Sequence, residues 1–133
     1  MILLPALIGA MLAALTGGAL WRAGYLHRAG IIGLIVIAIA GFWPLFAVAS
    51  GNDGQLFFHM ALFATFGIAA LFSHRLGLAG LAVVLIAHGV LDAALATTHH
   101  PGPHWWPAFC ASYDVVLATI LLLSLVVRKS EPA

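Results

Sequence analysis

Residues 78–96 read LAGLAVVLIAHGVLDAALA, a run of apolar residues with only two strongly polar side chains, His88 and Asp92. Helical rise is about 1.5 Å per residue, so a run of this length nearly spans the ~30 Å hydrocarbon core of a bilayer. It has no alternation of period two, and it is too long for an ordinary strand. The stretch is a transmembrane helix, and the rest of the chain follows from that.

Four further apolar runs, at 2–21, 31–49, 56–72 and 109–127, are of comparable length. The connections between them are RAGYLHRAG, SGNDGQ, SHRLG and TTHHPGPHWWPA. Of the 133 residues, 64% are hydrophobic and 7% charged, against about 25% charged in a typical soluble domain. The sequence therefore predicts an all-α integral membrane bundle of five transmembrane helices, a single domain over 1–133 with membrane lipids as its surroundings. No stretch remains for a soluble catalytic domain, so any site must be built from helices and their loops. A net charge of +1 with no basic patch excludes nucleic acid as a partner. The single cysteine, Cys110, excludes an intrachain disulfide. The first run has no basic residue before Arg22, so it reads as a retained span rather than a cleaved signal.

Basic residues orient the bundle. Arg22 and Arg28 lie in the first connection, Arg75 in the third, and Arg128 and Lys129 in the tail, whereas the second and fourth connections have none. The positive-inside rule then puts the N-terminus outside and the C-terminus in the cytoplasm of a plasma (inner) membrane, with the fourth, histidine-rich connection facing out. The string H-R-x-G occurs at His27–Gly30 and again at His74–Gly77, each time opening an apolar helix. This suggests a parallel duplication of a hairpin, spans 1–2 and 3–4. In that register His59, His88 and Asp92 correspond to Leu12, Gly41 and Leu45, so polar groups were acquired by one copy only. Pro44 is expected to kink the second span.

The polar residues gather in and beside the opening stretch. His88 and Asp92 are four apart and share one helix face, as do Cys110 and Asp114 on the fifth span. His99 continues the first stripe if the helix persists past Thr97 and Thr98. His59, Asp92 and Asp114 are expected one to two turns below the outer surface, with His88 deeper. An aspartate at a span centre costs at least about 2.5–3.5 kcal/mol, so it persists only when partnered or functional. Every basic residue is expected at the opposite face, which leaves histidines, a metal ion or a proton as partners. Imidazole and carboxylate together suit zinc, iron or copper. The candidate ligands are His59, His88, Asp92, His99 and His100, with Asp92 ligating or orienting an imidazole and Asp114 as general base or further ligand.

The same residues have ordinary structural readings. His27 and His74, beside arginines, suit interfacial caps; His99, His100 and His104 suit a solvated loop; Trp105, Trp106 and Pro107 suit an aromatic belt and a turn. His88 with Asp92 also makes sense as a self-satisfied buried pair. Asp114 as a helix N-cap would leave the fifth span only about 13 residues, too short for a bilayer.

Taken together, His88-x3-Asp92, His99-His100 and Pro107-x-Phe109-Cys110-x3-Asp114 resemble a pattern in small bacterial integral membrane proteins of unassigned function. The resemblance covers the last third of the chain and implies no activity; it groups these residues as one unit. The leading expectation is an outer-leaflet His/Asp metal site, serving metal handling or metal-dependent chemistry on a lipid-like substrate. A proton- or ion-coupled transporter would use His88, Asp92 and Asp114 as a relay, and a bis-histidine haem would use His59 and His88. A subunit of a homo-oligomer or larger membrane complex would use the polar patch as an interface.

Overall fold

In lipid no water reaches the backbone, so each apolar run must satisfy its own hydrogen bonds, and helices result. The computed structural model describes residues 2–51 and 53–130. The described residues form α1 (Leu3–Arg22), α2 (Ala29–Ala40), α3 (Phe42–Ala49), α4 (Asp53–Leu71), α5 (Ser73–Leu95) and α6 (Trp106–Ser130). With α2 and α3 taken as one bent segment, five segments are long and apolar enough to cross a membrane. Residues 131–133 of the expected polar tail, and residue 52 of the second connection, lie outside the described residues.

The boundaries differ from expectation where special residues act. The bend of the second span falls at Gly41, three residues before Pro44, whose missing N–H and ring disturb the turn that ends at Ala40. The last helix begins at Trp106 rather than 109, because a proline in the first helical turn gives up only an N–H that has no partner there. Asp114 therefore lies about two turns inside α6, which rules out an N-cap role. Ser73–Leu76 form a helical turn of their own, and the chain breaks at Gly77 (φ 62°, ψ −174°), a conformation that other residues adopt only under strain. Helix α5 ends at Leu95, where the hydroxyls of Thr97 and Thr98 donate to the carbonyls of Ala94 and Leu95. His99 consequently leaves the His88–Asp92 stripe.

Small residues set the helix crossings. Gly9, Ala13 and Gly17 form a buried stripe on α1 that receives α6. A Cβ at Gly9 would collide with the Phe109 carbonyl and the Ser112 hydroxyl, and one at Gly17 would meet Ile120. These contacts advance together along both helices, so α1 and α6 run parallel. The α6 helix also packs on α5, α5 on α2, and α2 on α4. Gly33 on α2 meets Ala70 near the end of α4 while Trp43 on α3 meets His59 nearer its start, which makes the α2–α3 segment antiparallel to α4. Arg22, Arg28, Arg75 and Arg128 thus share one end of the bundle. Ile32, Val36, Leu81, Leu85, Leu117 and Leu121 fill the interior toward that end, while Leu3, Leu15, Phe57, Val83 and Val126 point outward, as suits a lipid-facing surface.

Candidate metal centre

The opening stretch delivers His88 and Asp92 to the interior of α5, one turn apart. Directly between them in sequence, Gly89 lets α6 come close. A Cβ there would lie 3.1 Å from the Ala111 carbonyl oxygen and 3.2 Å from the Asp114 Cβ. Asp114 is thereby carried against His88. With its proton on Nδ1, His88 donates to Asp114 Oδ2 at 2.8 Å, and the same nitrogen lies 3.3 Å from Asp92 Oδ2. Ligand atoms of His88, Asp92 and Asp114 all lie within 4.8 Å of one another. His88 is 2% exposed and both aspartates 0%, so the cluster is sealed from its surroundings.

A third helix completes the site. Trp43, held on α3 beside Pro44, donates its indole N–H to Asp92 Oδ1 at 2.7 Å. From α4, Phe66 packs nearly perpendicular to the His88 ring, with centroids 4.7 Å apart. Two oxygens, Asp92 Oδ2 and Asp114 Oδ1, have no hydrogen-bond partner among the described residues. Buried carboxylate oxygens without partners are costly. Two carboxylates and one imidazole in a sealed, apolar setting are also held best at zero net charge. A divalent cation with neutral imidazole and two carboxylates meets that condition, as does a cluster holding two protons.

His59 stacks on Trp43 (centroids 5.4 Å apart, 13° between planes), and His100 meets the same indole edge-on at 5.3 Å. Both histidines thus pack on the indole that holds Asp92, and they stand outside the group whose ligand atoms converge. His99 is exposed, and its carbonyl accepts from Gln55 Nε2 at 2.9 Å. Cys110 is buried one turn before Asp114 on the same helix and is likewise outside that group. The structure thus brings together three of the expected residues, His88, Asp92 and Asp114, and holds His59 and His100 in an adjoining aromatic layer.

The fourth connection roofs this layer. Gly102 rests on α3, where a Cβ would come within 2.9 Å of Phe46 and 3.1 Å of Trp43. Trp106 packs on Phe42 and Phe46, with centroids 4.7 and 5.0 Å away. Burial, reinforced by the neighbouring imidazoles of His104 and His99, holds His100 below the ordinary histidine range, so it stays neutral at neutral pH.

Trp43 was not among the expected site residues. Its signal was nevertheless present: a tryptophan inside a span, away from the interfacial belt, carries an N–H that must find an acceptor when buried. The aspartate on a facing helix supplies one. The chain matches no protein-family model, no curated protein and no solved structure. The fold and site together define the class: a small helical protein with five segments fit to cross a membrane and a buried imidazole–dicarboxylate cluster.

Proposed function

We propose that the protein is a multi-pass plasma-membrane protein that holds one divalent transition metal ion, zinc, iron or copper, between His88, Asp92 and Asp114. The supporting observation is the convergence of three sealed ligand atoms together with two carboxylate oxygens that have no hydrogen-bond partner among the described residues. Three protein ligands leave a coordination position open, and a metal so held supplies Lewis-acid chemistry. Trp43 is a positioning residue that fixes the Asp92 carboxylate, and Gly89 sets the α5–α6 spacing. The sealing of the cluster favours metal holding over turnover of a bulky lipid-like substrate.

The positive-inside rule, applied to the basic ends of the helices, supports an orientation with the N-terminus outside, the roofing connection facing out and the cluster in the outer half of the membrane. The H-R-x-G repeat supports an origin by duplication of the first hairpin, with the polar groups acquired by the second copy.

The test is elemental analysis of the purified protein beside Asp92→Asn and Asp114→Asn. The expected result is about one metal equivalent in the wild type and loss of it in both variants, with thermal unfolding showing that they remain folded. A wild type that carries no metal, and takes up none after incubation with zinc, iron or copper, overturns the reading.

A second reading has its own observation in its favour. His88 set between two carboxylates, at 2.8 and 3.3 Å, is a geometry for sharing protons. A conducting path across the bundle is opposed by the wholly apolar layer of Leu81, Leu85, Leu117 and Leu121. That reading therefore takes the form of a proton-holding accessory subunit rather than a transporter. A haem between His59 and His88 is the weakest proposal, since the His59 ring stacks on Trp43 and the His88 ring packs against Phe66.

A further inference from the structure

The far end of the bundle holds a second constellation, separate from the buried cluster. A cavity of about 560 Å³ opens between α1, α6 and the α1–α2 connection. Its walls are apolar, Gly17, Leu26, Ile120, Leu123 and Val127, apart from Ser124, whose hydroxyl donates to the Leu121 carbonyl of its own helix. Its mouth is not. Arg128 and His27 line it, and His27 Nε2 is buried without a hydrogen-bond partner among the described residues. Trp21, 70% exposed, stands beside them at the level where tryptophans settle at a membrane interface.

The space exists because of glycine. Gly18 lines the cavity, and a Cβ there would meet nothing within 4 Å. Arg22, Arg28, Arg75 and Arg128 all lie at this end, whereas the described acidic residues, Asp53, Asp92 and Asp114, belong to the other half of the bundle. An apolar slot under a cationic rim complements one chemistry, an acyl chain bearing an anionic head. Arginine grips phosphate with two parallel N–H donors, and a basic membrane-facing end recruits anionic lipid. We propose that this cavity binds one anionic phospholipid, its phosphate at Arg128 and His27 and one acyl chain along Gly17, Gly18 and Leu123.

The site is about 21 Å along α6 from Asp114, so it stands or falls apart from the metal reading. The test uses the full chain in detergent, with native mass spectrometry counting retained lipid after incubation with phosphatidylglycerol or phosphatidylcholine, and inorganic phosphate as a headgroup-only probe in thermal unfolding. The wild type is expected to retain one phosphatidylglycerol in preference to phosphatidylcholine, and phosphate alone to leave the unfolding temperature unchanged. Arg128→Gln is expected to weaken phosphatidylglycerol retention about fivefold. Gly18→Leu, which fills the slot, is expected to abolish it, with metal content unaltered in both variants. Equal retention of the two lipids, stabilisation by phosphate alone, or undiminished phosphatidylglycerol retention in Gly18→Leu would overturn the proposal. If Gly18→Leu does not fold, the lipid preference of the wild type against Arg128→Gln decides the matter.

Discussion

At the scale of single residues, Trp43 shows how a neutral side chain can hold a carboxylate buried in an apolar interior. Its N–H meets Asp92 Oδ1 at 2.7 Å, the short range of a charge-assisted hydrogen bond. Trp43→Phe keeps an aromatic ring, removes the donor and leaves a small cavity at a position only 2% exposed. It is expected to destabilise the protein by about 1.5–3 kcal/mol in thermal unfolding, and to weaken metal binding by about 10–100-fold in a competition titration. His100 makes a different prediction. Its pKa is lower folded than unfolded, so the unfolded chain binds the proton more readily, and the stabilising contribution present above pH 6.5 is lost as the pH falls below that value. Protection factors of the amides in 99–105, corrected for the intrinsic pH dependence of exchange, are expected to fall on acidification through that window, and His100→Gln to remove the effect.

At the scale of elements, the contact between α5 and α6 depends on one glycine. Gly89→Ala adds a methyl that meets backbone at 3.1 Å, so α6 must retreat by a few tenths of an ångström and take Asp114 with it. Metal occupancy is expected to fall in Gly89→Ala while Gly18→Ala, whose Cβ meets nothing, retains it. The helices themselves were legible in the sequence, because hydrophobic length is a direct consequence of bilayer thickness. Boundaries were less so. Trp106–Pro107 opened α6 early, since proline is tolerated at a helix start, and Ser73–Leu76 formed a turn beyond the break at Gly77. The His88–Asp92 pair was legible from spacing alone. Asp114 was legible as a costly carboxylate, yet its contact with His88 depended on how closely α5 and α6 approach. His59 and His100 were placed by tertiary packing on Trp43, which no spacing within one helix encodes.

For the whole molecule, the directions of the packed helices put all described arginines at one end and the histidine-bearing roof at the other. Positive-inside orientation then makes a prediction for intact cells. The native thiol, Cys110, is buried and is expected to stay unlabelled by a membrane-impermeant maleimide. In a Cys110→Ala background, His104→Cys is expected to label from outside and Tyr25→Cys only after permeabilisation. The reverse pattern would invert the topology and put the cluster in the inner half of the membrane.

The extensive partner of α1 is α6, the first span against the last. During synthesis α1 is therefore made long before its main partner, and the two can pack only after α6 has left the ribosome. The same helix delivers Asp114, so the ligand set is completed in the step that recruits α1. The cluster is therefore assembled only once α6 has docked, and a protein truncated before α6 would be left with an undocked α1 and a His88–Asp92 pair lacking its third member.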